Sequence, residues 1–369
     1  MGQVVTITHD GYDARAHECV TRAAVARVLA GVLGYRFAGE YLPGRRYDPP
    51  LYYVPSDTLI GRAQADALSI RGTGDLFGAV VAHPYVATKS ITHGVIDGAA
   101  ARPAGWTPHF AAAVDGCVLR GYTAFCHADA HRAGQRVLDE HGTVRVKRAT
   151  GIGGRGQFVA DDAAALGAVL AELDADEIAA CGLVLEENLA NVETYSVGRI
   201  EVAGLVATYC GTQRLTANNH GADVYGGSEL LVVRGEFEAL SALDLAPPLR
   251  AAIAAALRYD RAADTHFDGF IASRRNYDVV RGLDRTGLER LGVLEQSWRI
   301  GGASPAEALA LEAFARDARL CVIRARTVEL YGADVKAPPG ATVVFQGDDA
   351  RVGHLTKYAM IDTDDADAR

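Results

Sequence analysis

Two hydrophobic periods alternate along the chain, and the places where one gives way to the other divide it. Residues 3–8 alternate as a short strand, and residues 14–33 carry the Ala-rich spacing of a long helix. A Pro-, Tyr- and Arg-rich stretch at 41–55 reads as loop. A Ser/Asp-capped helix at 56–68 and a strand at 76–82 follow. The first ~110 residues therefore predict an α/β lobe.

The pattern changes after Asp129. A helix at 129–140 leads to a strand at 143–147, a glycine-rich loop, a strand at 157–160 and an Asp-capped helix at 161–173. A strand at 182–187 precedes two strands of a meander within 193–206, a Gly- and Asn-rich stretch at 211–228 and a helix at 247–259. Residues 269–281 and 290–299 alternate as strands around a turn-rich segment and predict a hairpin. A helix at 305–320, a strand near 342–345 and an acidic tail follow, with no internal repeat. The fold class this predicts is α+β: small antiparallel sheets around a cleft, behind an α/β lobe.

Composition narrows the function classes. The chain has 369 residues, enough for two or three lobes, and a formal net charge of −9 with no basic face. That argues against a nucleic-acid partner or a membrane surface, and no apolar run approaches the ~20 residues that span a bilayer. The start lacks a basic segment followed by an apolar one, so no signal peptide is expected; MGQVVT fits the loose myristoylation pattern, which chance often supplies. Cys19, Cys117, Cys126, Cys181, Cys210 and Cys321 form no CxxC pair and predict free thiols in a reducing cytoplasm. His127 and His131 lie four apart on a helix, but no third ligand accompanies them and a solvated face is the simpler reading.

Candidate chemistry begins at Gly151-Ile152-Gly153-Gly154-Arg155-Gly156, a literal GxGxxG. A dinucleotide loop must run straight into a helix, whereas Gln157-Phe158-Val159 is strand-like. No Gly precedes Lys-Ser or Lys-Thr at the spacing of a P-loop. A glycine-rich hairpin closing over a nucleotide explains the segment better, because bare backbone N–H groups can approach phosphate oxygens and Lys147 adds a point charge. A mere turn does not need four glycines in six residues.

In this order the features resemble the ATP-grasp superfamily, and most nearly an uncharacterised bacterial branch of it, over roughly residues 80–320. Lys89 in Ala87-Thr88-Lys89-Ser90 looks like the first nucleotide lysine, and Lys147 in Val144-Arg145-Val146-Lys147 like the second. Only four lysines occur among 37 Lys and Arg, so two at these positions are informative. Leu183-Val184-Leu185-Glu186-Glu187-Asn188-Leu189 is similar to the interlobe hinge that reads adenine, and Glu193 matches the ribose-binding acid. Gly292-Val293-Leu294-Glu295-Gln296-Ser297-Trp298-Arg299 resembles the family's Glu-x-Asn-x-Arg strand. Positions i, i+2 and i+4 of a strand share a face, so Glu295, Ser297 and Arg299 point together. The resemblance implies that Glu295 bridges two Mg²⁺ ions, that residue 297 holds the second, and that Arg299 stabilises an acyl phosphate. Ser replaces the usual Asn at 297, a weaker ligand that would hold its metal loosely or through water. Counting back from the turn places Asp278 opposite Leu294 and beside Glu295 as the first-metal acid; Asp268 lies farther from the turn.

The resemblance implies two α+β lobes gripping ATP: an N-terminal lobe at 1–110, a small lobe at 111–195, a large lobe at 196–330 and a C-terminal strand with tail at 331–369. It also implies a ligase (ATP and Mg²⁺ as cofactors) that activates a small-molecule carboxylate and passes it to an amine. Arg214, His220 and Tyr225, in a polar glycine-rich segment, are candidates for the substrate pocket. The rival readings are a thiol acceptor, kinase-like phosphoryl transfer, or a nucleotide-binding protein without turnover. A homodimer is the default expectation.

Overall fold

The computed structural model describes residues 1–9, 11–151 and 156–362. The chain opens with β1 (Gln3–Ile7), α1 (His17–Leu33), β2 (Arg36–Glu40) and β3 (Leu51–Pro55), and β1 lies between the other two in a parallel sheet. Gly34 closes α1 in the left-handed conformation at φ 68. Residues 51–55, read as loop from their proline-rich flanks, form a strand because Tyr52 and Val54 alternate into the core beside Val4. The single helix expected at 56–68 is divided into β4 (Leu59–Ile60) and α2 (Arg62–Ala67), with Gly61 at φ 85 between them. Next come β5 (Ala79–Val81) and α3 (Pro108–Val114).

The small sheet is built from β6 (Gly121–Ala124), α4 (His127–His141), β7 (Val144–Arg148), β8 (Gln157–Ala160), α5 (Ala163–Ala171), α6 (Ala175–Cys181) and β9 (Leu183–Glu187). Its strand order is β6-β9-β7-β8, antiparallel throughout. Ala130, Ala133, Val137 and Leu138 form one apolar stripe of α4 and cover Val144, Val146, Leu183 and Leu185. The alternate residues, Arg145, Lys147, Val184 and Glu186, necessarily face the other way.

The rest builds one large sheet: β10 (Ala190–Val202), β11 (Leu205–Ala217), β12 (Asp223–Arg234), α7 (Phe237–Ser241), α8 (Pro247–His266), β13 (Ile271–Ala272), β14 (Arg274–Leu283), β15 (Glu289–Ser297), α9 (Ser304–Arg316), β16 (Val322–Tyr331), β17 (Thr342–Asp349) and β18 (Gly353–Ile361). Eight strands run in the order β15-β14-β10-β11-β12-β16-β18-β17; β13 instead joins β5 and β4. The Gly- and Asn-rich stretch at 211–228 is two strand arms joined by a turn. Its glycines permit close backbone approach: a Cβ on Gly211 would lie 1.8 Å from the Glu229 carbonyl oxygen. The hairpin forms where expected, between β14 and β15, whereas β16, β17 and β18 make more sheet than the one terminal strand expected. Helix α9 joins the N-terminal lobe to this sheet, its Ala306 and Leu311 sharing a core with Val25, Leu29, Ile200 and Ala325. Among the described residues no helix is long and apolar enough to cross a membrane.

Candidate active site

Two clusters of charge face each other across the lobes. The first stands on the small sheet. Lys147 and Glu186 are 3 % and 0 % exposed, and their ammonium and carboxylate form an ion pair. His93, also buried, sits with Nε2 3.1 Å from the second Glu186 oxygen. Burial alone would push the Glu186 carboxyl up, but the Lys147 charge and the His93 hydrogen bond outweigh it and hold it at about 2. Beside them Arg145 donates to the Asn188 side chain at 2.6 Å and to Gln157 at 3.1 Å, spanning hinge and glycine hairpin.

The second cluster stands on β14 and β15. Asp278 pairs directly with Glu295, and Asn276 with Ser297. The expected partner of Asp278 was Leu294; a bulge at Leu294 moves the register by one, since Val279 pairs with Val293. The bulge matters chemically. Val293 belongs to the apolar core with Val279, and simple alternation would send Glu295 into that core too. The extra residue turns Glu295 to the Asp278 face, while Leu294 packs against Leu119, Leu189 and Val280. Asp278 accepts from Gln213 at 2.7 Å and from Asn276 at 3.0 Å. Burial and the neighbouring Glu295 charge nevertheless push its carboxyl up to about 6.

Lys89 joins the clusters. It is 5 % exposed, and its ammonium lies 2.6 Å from Glu295 Oε2 while donating to the Gly151 carbonyl at 2.7 Å. The turn that carries it is fixed by Gln296, which donates to the Val86 and Thr88 carbonyls at 3.1 and 2.7 Å. Strand alternation thus lets β15 hold the same turn with two successive residues.

The other expected residues divide. Gly151 and Gly156 flank the β7–β8 hairpin, Gly156 at φ 72; Gly153 and Gly154 lie outside the described residues. Glu193 is half exposed, takes the Tyr195 hydroxyl and lies 3.6 Å from Arg281. Glu187 faces the helix-covered side, opposite Glu186, and accepts from the Arg120 backbone at 2.9 Å. Arg299 stands at the end of β15, 3.7 Å from Asp57 of the N-terminal lobe. Arg214 donates to the Gly226 carbonyl at 3.3 Å. The Tyr225 hydroxyl shares a hydrogen bond with Ser228 at 2.6 Å, and burial, with the charges of Glu329 and Asp278, pushes it well up. His220 is at an exposed turn. Asp268, also exposed, lies outside the hairpin.

The residues fit Mg²⁺ and a nucleotide. Two oxygen-bearing side chains meet on one face, and the proton held on Asp278 to about pH 6 marks a like-charge pair that a divalent cation relieves. No group of three or more His, Cys, Asp or Glu able to hold a metal occurs among the described residues. That suits Mg²⁺, which takes one or two carboxylates with waters and phosphate oxygens. Lys89 and Lys147, buried cations beside the glycine hairpin, fit phosphates.

The sequence matches one family description over residues 4–359. The chain belongs to the family described as "Protein of unknown function (DUF3182)". No curated protein matches it. Among solved structures, this DUF3182 chain is similar to biotin carboxylase of Campylobacter jejuni at TM-score 0.50 and 9 % identity, covering 97 % of this chain and 87 % of that one. Carboxyaminoimidazole ribonucleotide synthase of Aspergillus clavatus gives 0.48 and 9 %, covering 98 % and 93 %. D-alanyl-alanine synthetase A of Vibrio cholerae gives 0.43 and 11 %, covering 85 % and 95 %. The DUF3182 chain has the ATP-grasp fold.

Residues missed from sequence are Gln213, His93, Asn276, Gln296 and Arg145. Gln213 had a signal: Tyr209, Gly211 and Gln213 alternate on one face of β11. His93 had none, since its partner Glu186 lies 93 residues away.

Proposed function

We propose that the chain is an ATP- and Mg²⁺-dependent ligase that activates a small-molecule carboxylate as an acyl phosphate and couples it to an amine. The observation that carries this reading is the meeting at Lys89, where one buried ammonium touches both Glu295 of the carboxylate hairpin and the first glycine carbonyl of the β7–β8 loop. Phosphoryl transfer is mainly positioning and charge neutralisation, and this contact places both at one point.

Bound Mg·ATP would supply the γ-phosphoryl group and the ADP leaving group. Asp278 and Glu295 would hold the metal, with Ser297 beside them. Lys147 and Lys89 would neutralise phosphate charge. Glu186, its oxygens taken by Lys147 and His93, would fix Lys147 and the hinge strand beside the adenine, with Leu189 just past the end of that strand and Glu193 toward the ribose. Arg299, beside Asp57, would bind the acid where the N-terminal lobe meets the large sheet. A substrate carboxylate oxygen then bonds to phosphorus as the bond to ADP breaks. An amine nitrogen next bonds to the acyl carbon as phosphate departs, and the amine loses a proton.

The test is ADP release from Mg·ATP with pooled carboxylic and amino acids, run with hydroxylamine as a trap. ADP together with a hydroxamate is expected. Mg·ATP binding without ADP from any acid would refute the ligase, and ADP without hydroxamate would move the reaction to kinase-like transfer.

A further inference from the structure

A concavity opens not in the lysine-lined cleft but behind the hinge. A groove of about 620 Å³ runs between the end of α4, the start of β6 and the start of β15, and a second cavity of about 230 Å³ shares its wall at Arg120, Glu140, His141, Glu187 and Arg290. Its floor is Glu187, 2 % exposed. One carboxylate oxygen accepts the Arg120 backbone N–H at 2.9 Å, with Arg290 at 3.5 Å. The other oxygen is buried without any hydrogen-bond partner, with His141 Nδ1 3.8 Å away. His141 Nε2 is likewise buried without a hydrogen bond, 3.7 Å from Glu140 Oε2. A buried carboxylate oxygen lacking a donor is costly, and both unsatisfied atoms line one wall.

The surroundings select the ligand. Asp115, Glu140 and Glu289 line the same groove, against Arg120 and Arg290. Arg290 is already engaged by Glu187 and, at 4.0 Å, by Asp284. The wall therefore favours a cation, and a groove of about 620 Å³ reaching from Glu187 to Asp115 has room for an organic one. We propose that this groove is a second ligand site that takes a small aliphatic amine, its ammonium hydrogen-bonded to the free Glu187 oxygen and its tail running toward Asp115 and Glu140. Glu187 follows Glu186 on β9 and faces the opposite side of the sheet. The site is separate from the proposed reaction and does not depend on it.

The test is calorimetric titration of the full chain with 1,4-diaminobutane, beside the uncharged 1,4-butanediol and the dianion glutarate. Saturable binding of the diamine alone is expected, weakened about tenfold or more by Glu187→Gln, the scale of one lost charge-assisted hydrogen bond. Asp115→Arg, at an exposed position, should weaken it as well, and thermal melting checks that both variants fold. Glu295→Gln should leave diamine affinity unchanged. No saturable diamine binding, binding indifferent to Glu187→Gln and Asp115→Arg, or binding abolished by Glu295→Gln would each overturn the proposal.

Discussion

The hinge acid Glu186 and the hairpin acids Asp278 and Glu295 are built from the same chemistry and behave oppositely. Glu186 is buried with a lysine on one oxygen and a histidine on the other, and its carboxyl is held at about 2. Asp278 receives two neutral amide donors, yet burial and the adjacent Glu295 push it up to about 6. The difference is the sign of the neighbour. A carboxylate closed off by cations on both oxygens is a structural fixture, whereas two adjacent carboxylates that share a single ammonium, Lys89 on Glu295, keep a charge that a divalent cation would relieve.

The comparison breaks most visibly at Glu186. Glu186→Gln leaves the Lys147 ammonium buried without a counter-charge and should cost about 3–5 kcal/mol by urea unfolding. The double variant Glu186→Leu with Lys147→Met should recover most of that, and a loss below about 1 kcal/mol for the single variant would show that the pair is not the fixture described. Glu295→Ala leaves the Lys89 ammonium with the Gly151 carbonyl and with solvent in its half-buried partner's place, so it should cost less stability than Glu186→Gln and slow ADP release by at least about 100-fold, the scale for removing one charge-stabilising group; turnover like that of the unaltered protein would refute its metal role.

The two centres also predict opposite pH slopes. The raised Asp278 keeps its proton in the folded state after the unfolded chain has lost it, so metal-free stability should fall as pH rises from about 4 to about 6. The depressed Glu186 adds stability above about 4.5 that is lost as pH falls toward 2. Urea midpoints across pH should show both, and Asp278→Asn should erase only the first. A slope between pH 4 and 6 that survives Asp278→Asn would reassign it. The smallest expected effect is at Gln296: Gln296→Leu removes two hydrogen bonds from the Lys89 turn, each worth about 1 kcal/mol, and should weaken Mg·ATP binding modestly by calorimetry. Unchanged affinity would separate β15 from the positioning of Lys89.

Much of this was legible in the sequence where chemistry was local. The Glu295–Gln296–Ser297 strand, the scarce lysines and the hairpin itself could be read because alternation and residue rarity are written within a few positions. The bulge could not be read, since whether Leu294 is paired depends on what packs against it from Leu119 and Leu189. The Gln213–Asp278 contact spans 65 residues and the His93–Glu186 contact 93, distances over which residue pattern carries no pairing information. The strands at 51–55 and within 211–228 were hidden for a different reason: proline flanks and glycines mimic loop composition, although here the glycines serve close strand contact.

The bulge at Leu294 makes β15 a strand read in frame. Upstream of it, the residue facing the core is Val293; downstream, the same face is taken by Gln296 and the cleft face by Glu295. Leu294 can therefore change identity, or be lost, with only a packing cost. Losing that one residue would make the ladder regular, and Val293 and Glu295, then adjacent, would still lie on opposite faces, so deletion of Leu294 should keep Glu295 opposite Asp278 and cost the packing on Leu119, Leu189 and Val280, whereas one further inserted residue would turn Glu295 away.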